Sequence, residues 1–178
     1  MLKEHPFLVT TTFQGDGDTI KYDKTKDNRS DAVGKAFKLN SDGKGELVGD
    51  GDEIDGKVIA VDDDHKFTAA YMFGGLRLPL GNGETVTRGD KVVGALGPNR
   101  AKGHVKAVSA PAALPSDLAD LAADGDVDSD AKRRTAHNAA RTQINSVSAT
   151  VNALVAAAKG KGSVVDSDTT HALVALGA

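Results

Sequence analysis

Short β-like runs, each interrupted by a turn that contains glycine or aspartate, fill residues 1–108 and constrain the fold more than any other feature. Runs such as "FLVTTTF", "VIAV", "KFTAAYMF" and "GLRLPL" are β-branched, aromatic or alternating, as is typical of strands. Aspartate, which favours turns and caps, outnumbers helix-forming glutamate by 21 to 4. Turn signals recurring every ~8–12 residues indicate a small antiparallel β-barrel or sandwich.

Several local features follow from these runs. Residues 7–13 and 19–23 flank "QGDGD", which predicts a hairpin, and the nine polar residues 23–31 predict an exposed loop. In "GLRLPL" the leucines alternate with Arg77 and Pro79, so one face should be buried. Proline cannot donate to a ladder, so Pro79 should lie at a sheet edge or at a strand end.

The composition changes sharply after residue 108, which predicts four segments. Residues 1–108 form the β-rich domain, and the Pro/Ala-rich residues 109–129 form a linker with a short helix. Residues 130–160 contain a long helix, because the helical pattern runs without interruption from Asp130 to Lys159 and ends at "GKG". Residues 161–178 are expected to be a final strand or an arm that reaches a neighbouring chain. The fold class is therefore mainly β with an α-helical C-terminal region.

The long helix carries apolar residues at spacings of 4, 3, 4, 3 and 4, the a/d seam of a heptad repeat. The members of this seam are Ala140, Ile144, Val147, Val151, Leu154 and Ala158. Two interpretations stay open: an amphipathic helix that packs on its own domain, or a helix bundle between subunits. Ile144, Val147, Val151 and Leu154 are the candidate oligomer contacts.

Composition and motifs argue against several functional classes. The 22 basic and 25 acidic residues are interspersed, so no basic face for nucleic acid emerges. No run approaches the ~18 apolar residues of a membrane span, and the N-terminus does not resemble a signal peptide. There is no cysteine, and the five histidines are scattered singly. With no nucleophile elbow or phosphate loop either, we expect no enzyme activity and no cofactor.

Two aspartate clusters are candidate metal sites. Asp124, Asp126, Asp128 and Asp130 resemble the start of an EF-hand loop, but the sixth-position glycine and the twelfth-position glutamate are missing in either register. The "DDDH" of residues 62–65 is more typical of a solvated turn between two strands. The expectation is therefore that no metal is bound.

The segment "GLRLPLGNGETVTRGDKVV" resembles an element of tailed-bacteriophage capsid decoration (cement) proteins. In that family a strand ending in Leu-Pro leads through a glycine turn to an "x-V-x-x-G-D-x-V" strand. The resemblance covers residues 33–108, whereas the part from Ser109 onward departs from the family's minimal form. The matching residues here are Leu78, Pro79, Val86, Gly89, Asp90, Val92 and Val93.

This resemblance implies a structural protein of the virion, assembled in the host cytoplasm. It would bind the major capsid protein on the outer capsid surface, often as a homotrimer, and stabilise contacts between capsid subunits. The N-terminal segment and the tail are expected to pair with neighbouring chains, through Phe7, Val164 and Val165. Two alternatives remain: a fibre or baseplate component that trimerises through its helix, and a barrel that binds a small ligand along residues 67–73.

Overall fold

A computed structural model describes residues 9–71, 74–108, 130–159 and 162–176 of the chain. These residues contain ten strands, one 3-10 turn at Pro98–Arg100 and one α-helix. The strands are β1 (Thr10–Gln14), β2 (Ala36–Leu39), β3 (Gly45–Leu47), β4 (Gly56–Val61), β5 (Lys66–Tyr71), β6 (Gly74–Pro79), β7 (Lys91–Ala95), β8 (His104–Ala107), β9 (Gly162–Ser167) and β10 (His171–Leu176); the helix is α1 (Asp130–Lys159).

The strands form two antiparallel five-stranded sheets, ordered β1-β5-β4-β2-β3 and β6-β10-β9-β7-β8. Each sheet curls until its two outer strands nearly meet, because single bridges join Gly15 to Gly45 in the first sheet and Leu80 to Val105 in the second. The mainly β class with one long helix is confirmed. Within the described residues the strands do not form one closed barrel.

Three phenylalanines, one from each of three strands, pack together in the core of the first sheet. The ring centroids of Phe37 and Phe67 are 5.1 Å apart in an edge-to-face arrangement, and Phe13 lies 5.7 Å from Phe67. The Phe67 ring lies so close to Gly45 of the outer strand β3 that a Cβ there would sit 2.2 Å from a ring carbon. A chain poor in aromatics thus concentrates its few large rings in one core, where glycine makes room for them.

Aliphatic side chains form the second core. Leu76, Leu78 and Leu80 are buried while Arg77 between them is partly exposed, which confirms the predicted alternation along β6. Pro79 is the last residue of β6, and β6 is an outer strand of its sheet, so proline costs no ladder hydrogen bond there. The same core contains Ala36 and Ala70 of the first sheet, and Val48 and Ile54 of the segment between β3 and β4, and it therefore joins the two sheets.

A close backbone contact reinforces this junction. The N–H of Gly94 in β7 donates to the carbonyl of Asp52 at 2.8 Å, and the N–H of Gly51 donates to the carbonyl of Gly94 at 2.9 Å. A Cβ on Gly94 would lie 2.2 Å from the carbonyl oxygen of Gly49 and 2.9 Å from the Cβ of Val48. Only glycine lets the loop of residues 49–52 reach the second sheet this closely.

The C-terminal residues form a hairpin in the middle of the second sheet. β10 pairs with β6, β9 pairs with β7, and the two strands pair with each other. The prediction was one strand or an arm reaching a neighbour; the structure instead has two strands within the same chain. The reason is burial: Val164, Ala172 and Val174 belong to the second core.

The chain leaves and re-enters the β-sheet at nearly the same place around the helical segment. Val92 of β7 pairs with Ala107, the last residue of β8, and also with Gly162, the first residue of β9. Ala107 and Gly162 are therefore two strand spacings apart, about 10 Å. Residues 109–158 form one compact unit, which we call the helical unit, and residues 1–108 with 159–178 form the other, which we call the β unit.

The helix bounds agree with the sequence prediction, since α1 runs from Asp130 to Lys159. The predicted linker and short helix of residues 109–129 lie outside the described residues. The predicted hairpin of residues 7–13 with 19–23 is wrong, because β1 pairs with β5 instead.

The Asp16 side chain explains why residues 19–23 do not form a strand. Its carboxylate accepts the backbone N–H groups of Asp18, Thr19 and Ile20 at 2.8–3.2 Å, donors that a ladder would otherwise need. The Ile20 side chain therefore lies in the core of the first sheet, where it is fully buried. Partial burial acts to raise the pKa of Asp16, but these hydrogen bonds outweigh it and lower the pKa.

Gly94→Ala should destabilise the β unit by about 1–3 kcal/mol, because the new methyl group forces the loop of residues 49–52 away from β7. Denaturant unfolding measures this change. Gly75→Ala is the matched control, since its Cβ would meet only the flexible side chain of Leu173 at 3.0 Å. Equal stability of the two variants would contradict the proposed close packing.

Replacing residues 109–161 with a six-residue Gly/Ser linker should leave the β unit folded, because six extended residues reach roughly 20 Å and the gap is about 10 Å. Circular dichroism and cooperative thermal unfolding test this. Deleting residues 162–178 should instead abolish cooperative unfolding, because β6 then loses its partner β10. The inference of an inserted helical unit fails if the linker variant is unfolded.

Candidate interaction surfaces

The helix presents an apolar stripe to solvent. Ile144 is 67% exposed, Val151 48%, Leu154 49% and Val155 52%. The half-buried Val147 lies on the same face, so the four predicted helix residues are brought together. Val155 was not predicted, although its position four residues after Val151 could have indicated it.

Residues 142–158 of the helix contain no charged side chain. Two hydroxyls in this segment bond within the helix: that of Thr142 donates to the Asn138 carbonyl at 2.9 Å, and that of Thr150 donates to the Ser146 carbonyl at 3.0 Å. The stripe is therefore flanked by neutral residues, and on one side of it Thr150 is buried, at 4% exposed.

The other predicted contact residues do not share one surface. Phe7 lies outside the described residues. Val164 is 2% exposed and packs in the second core, so it cannot be a contact residue for another chain in this fold. Val165, its neighbour on the opposite face of β9, is 42% exposed and remains available.

The predicted polar loop of residues 23–31 is exposed and internally braced. The N–H of Asp23 donates to the Arg29 carbonyl at 2.6 Å, which closes the loop at its base, and the N–H of Arg29 donates to the Lys26 carbonyl at 3.0 Å. Lys26 Nζ pairs with Asp31 Oδ2 at 3.0 Å, and this partner raises the pKa of Lys26. Such a loop presents charge with little conformational freedom left to lose on binding.

This loop borders an open cleft of about 460 Å³ at the β4–β5 turn. The Arg29 guanidinium donates to the Tyr22 hydroxyl at 3.2 Å on one side. On the other side, the Lys66 ammonium pairs with Asp64. We call the loop and the cleft together the charged end; the cleft is lined by Tyr22, Arg29, Val61, Asp62, Asp63, Asp64 and Lys66.

The aspartates of the "DDDH" segment form the turn between β4 and β5, as predicted. The N–H of Asp62 donates to the Lys66 carbonyl at 2.7 Å, and His65 adopts a φ of 61° to complete the turn. No group of three or more potential metal ligands occurs among the residues that the structure describes. Of the predicted EF-hand-like series, Asp124, Asp126 and Asp128 lie outside those residues.

Histidine residues serve the fold at the places where they are described. His65 Nδ1 accepts the Tyr22 N–H at 3.1 Å, which ties the loop to the cleft. His104 is buried against Gly97, where a Cβ would lie 2.3 Å from the ring, and its Nδ1 has no hydrogen-bond partner among the described residues. Burial, followed by the charge of Lys35, lowers the pKa of His104.

The turn between β9 and β10 is held by Asp168. Its carboxylate accepts the N–H groups of Thr170 and His171, both at 2.8 Å, and these bonds lower the pKa of Asp168 to about 2. Burial, with a further contribution from Arg77, lowers the pKa of His171 in the same turn.

The comparisons with known proteins add no relatives: no family model, no curated protein and no solved structure matches this chain. In the described part of the chain, no helix is both long enough and apolar enough to cross a bilayer.

Stability should fall as the pH drops below about 6.5, the ordinary pKa of histidine. Because His104 and His171 have lowered pKa values in the folded state, the unfolded chain takes up protons first and is favoured by acid. Protonation of Asp168 should lower the stability of the fold further between pH 3.8 and about 2. Melting temperatures measured from pH 7.5 to 5 should therefore decrease.

His104→Gln should reduce this decrease, because it removes one of the two histidines that resist protonation in the fold. His137→Gln, which changes an exposed residue of the helix, is the control and should keep the wild-type pH dependence. A wild-type melting temperature that is constant from pH 7.5 to 5 would contradict the prediction.

Proposed function

We propose that the protein is a capsid decoration protein of a tailed bacteriophage, which binds the outer surface of the major capsid protein lattice and stabilises the contacts between capsid subunits. The resemblance to that family is the observation that carries the proposal. The expected fold is a small antiparallel β-barrel or sandwich, and two antiparallel five-stranded sheets are compatible with the β-rich body that the proposal needs.

The residues of the resemblance lie on two strands, β6 and β7, and on the chain between them, and β10 and β9 separate the two strands in the sheet. The strand ends at Pro79, and the chain then returns through the turn before β7. Asp90 Oδ2 accepts the Thr87 N–H at 2.7 Å, and the Gly89 N–H donates to the Val164 carbonyl at 2.8 Å. This segment is therefore scaffold, and docking falls to the exposed surfaces.

The charged end is the surface we assign to the capsid. Its braced loop exposes Lys24, Asp27 and Asn28 without using their side chains to hold the loop together. Repeated docking on a lattice needs only modest affinity per copy, because multivalency and lattice geometry supply the rest. A rigid loop of mixed charge suits such a contact, since electrostatic complementarity sets orientation and specificity.

A fibre or baseplate component is the second candidate, favoured by the exposed stripe of the helix. In that function the helix would carry trimerisation, and binding to capsids would be absent. The two functions therefore differ in one measurable property, the association with a capsid lattice.

The proposal predicts that a major capsid protein is encoded near this chain's gene, and the test uses capsids assembled from that protein. Wild-type protein should co-sediment with the capsids and saturate at a fixed number of copies per lattice site. The triple variant Lys24→Ala, Asp27→Ala and Asn28→Ala should bind at least ten-fold more weakly, because the exposed polar contacts of the loop are lost.

The matched control is Ser41→Ala, Asp42→Ala and Lys44→Ala, at the exposed tip of the β2–β3 turn, which should bind like the wild type. Absence of wild-type co-sedimentation would overturn the decoration function. Wild-type binding that the loop variant does not weaken would overturn only the assignment of the docking surface.

A further inference from the structure

The chain between β6 and β7 contains the one Asn-Gly pair of the sequence, Asn82-Gly83. The Glu84 N–H donates to the Gly81 carbonyl at 3.2 Å, which closes a four-residue turn with this pair at its centre. Gly83 has a φ of 72°, a conformation that favours glycine, so the turn itself calls for a glycine after Asn82. A Cβ built on Gly83 would meet no atom within 4 Å, so the space around the pair is open.

A glycine after an asparagine leaves the asparagine side chain open to attack by the chain itself. The backbone nitrogen of the following residue bonds to Cγ of the asparagine, a five-membered imide ring forms, and ammonia leaves. A side chain on the following residue hinders this approach, and glycine has none. A hydrogen bond that holds the attacking N–H or the carboxamide also hinders ring closure, so the fold decides which asparagines react.

The structure leaves both reacting groups of this pair accessible. Asn82 and Gly83 are exposed. Among the described residues, neither the Asn82 carboxamide nor the Gly83 N–H forms a hydrogen bond. The backbone of Asn82 is nevertheless fixed, because its own N–H donates to the Leu96 carbonyl at 3.0 Å. The pair is therefore reactive in its surroundings while it stays attached to the second sheet.

The other asparagines are each restrained at one of these two groups. The Oδ1 atom of Asn40 accepts the N–H groups of Asp42 and Lys44 at 2.9 and 3.0 Å. After Asn28 and Asn99, the N–H that would attack already donates to a backbone carbonyl, at 3.0 and 3.1 Å respectively. In α1, the N–H after each asparagine bonds to the carbonyl four residues earlier. The asparagines of α1 are Asn138, Asn145 and Asn152.

From these observations we propose that Asn82 is a site of spontaneous covalent modification, at which the Gly83 nitrogen displaces the side-chain amide of Asn82. The bond from the Gly83 nitrogen to Asn82 Cγ forms, the Cγ–Nδ2 bond breaks, and Nδ2 leaves as ammonia with the proton of the Gly83 N–H. Water then opens the ring at either of its two carbonyls, which gives aspartate or isoaspartate. Water is the one co-reactant. This inference does not depend on capsid binding and stands for any function of the β unit.

Either product changes the turn where it meets the second sheet. Both products add a negative charge two residues before Glu84. Isoaspartate also lengthens the backbone by one carbon atom, because the chain then passes through the former side chain of Asn82. The turn has no room for this atom on the side of the sheet, since a Cβ on Gly81 would lie 2.8 Å from the Cβ of Ala95. The modification therefore alters the attachment of the turn to β7.

The test follows the folded full-length chain during storage at 37 °C and mildly alkaline pH, with trypsin digestion and mass spectrometry at intervals. Cleavage after Arg77 and Arg88 isolates residues 78–88, in which Asn82 is the single asparagine. Relative to the digest at time zero, this peptide should gain about 1 Da, the mass difference between an amide and a carboxyl group. The same peptide from Asn82→Asp is the chromatographic standard that separates aspartate from isoaspartate.

Asn40 is the matched control in the same sample, on residues 39–44 after cleavage at Lys38 and Lys44. Because serine rather than glycine follows Asn40, each rate is compared with the rate at the same site in the chain unfolded in guanidinium chloride. Folding should slow the change at Asn40 by roughly ten-fold or more, because two hydrogen bonds must break before the ring closes. Folding should slow the change at Asn82 by less than roughly three-fold, since no such bond has to break there.

Asn82→Gln should abolish the mass gain of residues 78–88, because the longer side chain would have to close a six-membered ring. A gain that persists in this variant would overturn the proposal. The proposal is also overturned if the wild-type peptide gains no mass in the folded chain, or if folding slows both asparagines equally.

Discussion

The β unit depends on the pairing of β9 and β10 between β6 and β7. Without this hairpin, β6 has no partner in its sheet and β7 keeps only β8. The second core would also lose Val164, Ala172 and Val174, all of them fully or nearly fully buried. Formation of the sheet therefore requires pairing between residues at least 70 positions apart, such as Val92 and Gly162, which makes its assembly a non-local event.

Close backbone contacts are the second requirement of the fold. Gly45 accommodates the Phe67 ring and Gly97 accommodates the His104 ring, while Gly94 admits the loop of residues 49–52. Because the chain has few large aromatic side chains, it reaches a high packing density by bringing backbone segments and small residues close together. Glycine in this protein is thus as much a packing residue as a turn residue.

The exposed features divide between the two units. The β unit presents the charged end, which is braced by backbone hydrogen bonds within the loop of residues 23–31. The helical unit presents a neutral apolar stripe with heptad spacing. Polar, mixed-charge surfaces favour reversible and specific docking, whereas apolar seams favour permanent association. The two surfaces therefore differ in chemistry, since the first is polar and charged and the second is apolar and neutral.

Local sequence determined strands such as β4, β5 and β7, the helix bounds and the buried face of β6, because periodicity and turn residues act over a few neighbouring positions. It also determined the heptad spacing on α1. Only the tertiary structure decided that β1 pairs with β5, that Val164 is core while Val165 is exposed, and that Tyr22 and Arg29 meet the β4–β5 turn in one cleft. These outcomes depend on which distant segments share a sheet, and no local pattern encodes that choice. Residues 19–23 fail to form a strand for a local reason, since the Asp16 carboxylate accepts backbone N–H groups two to four residues away.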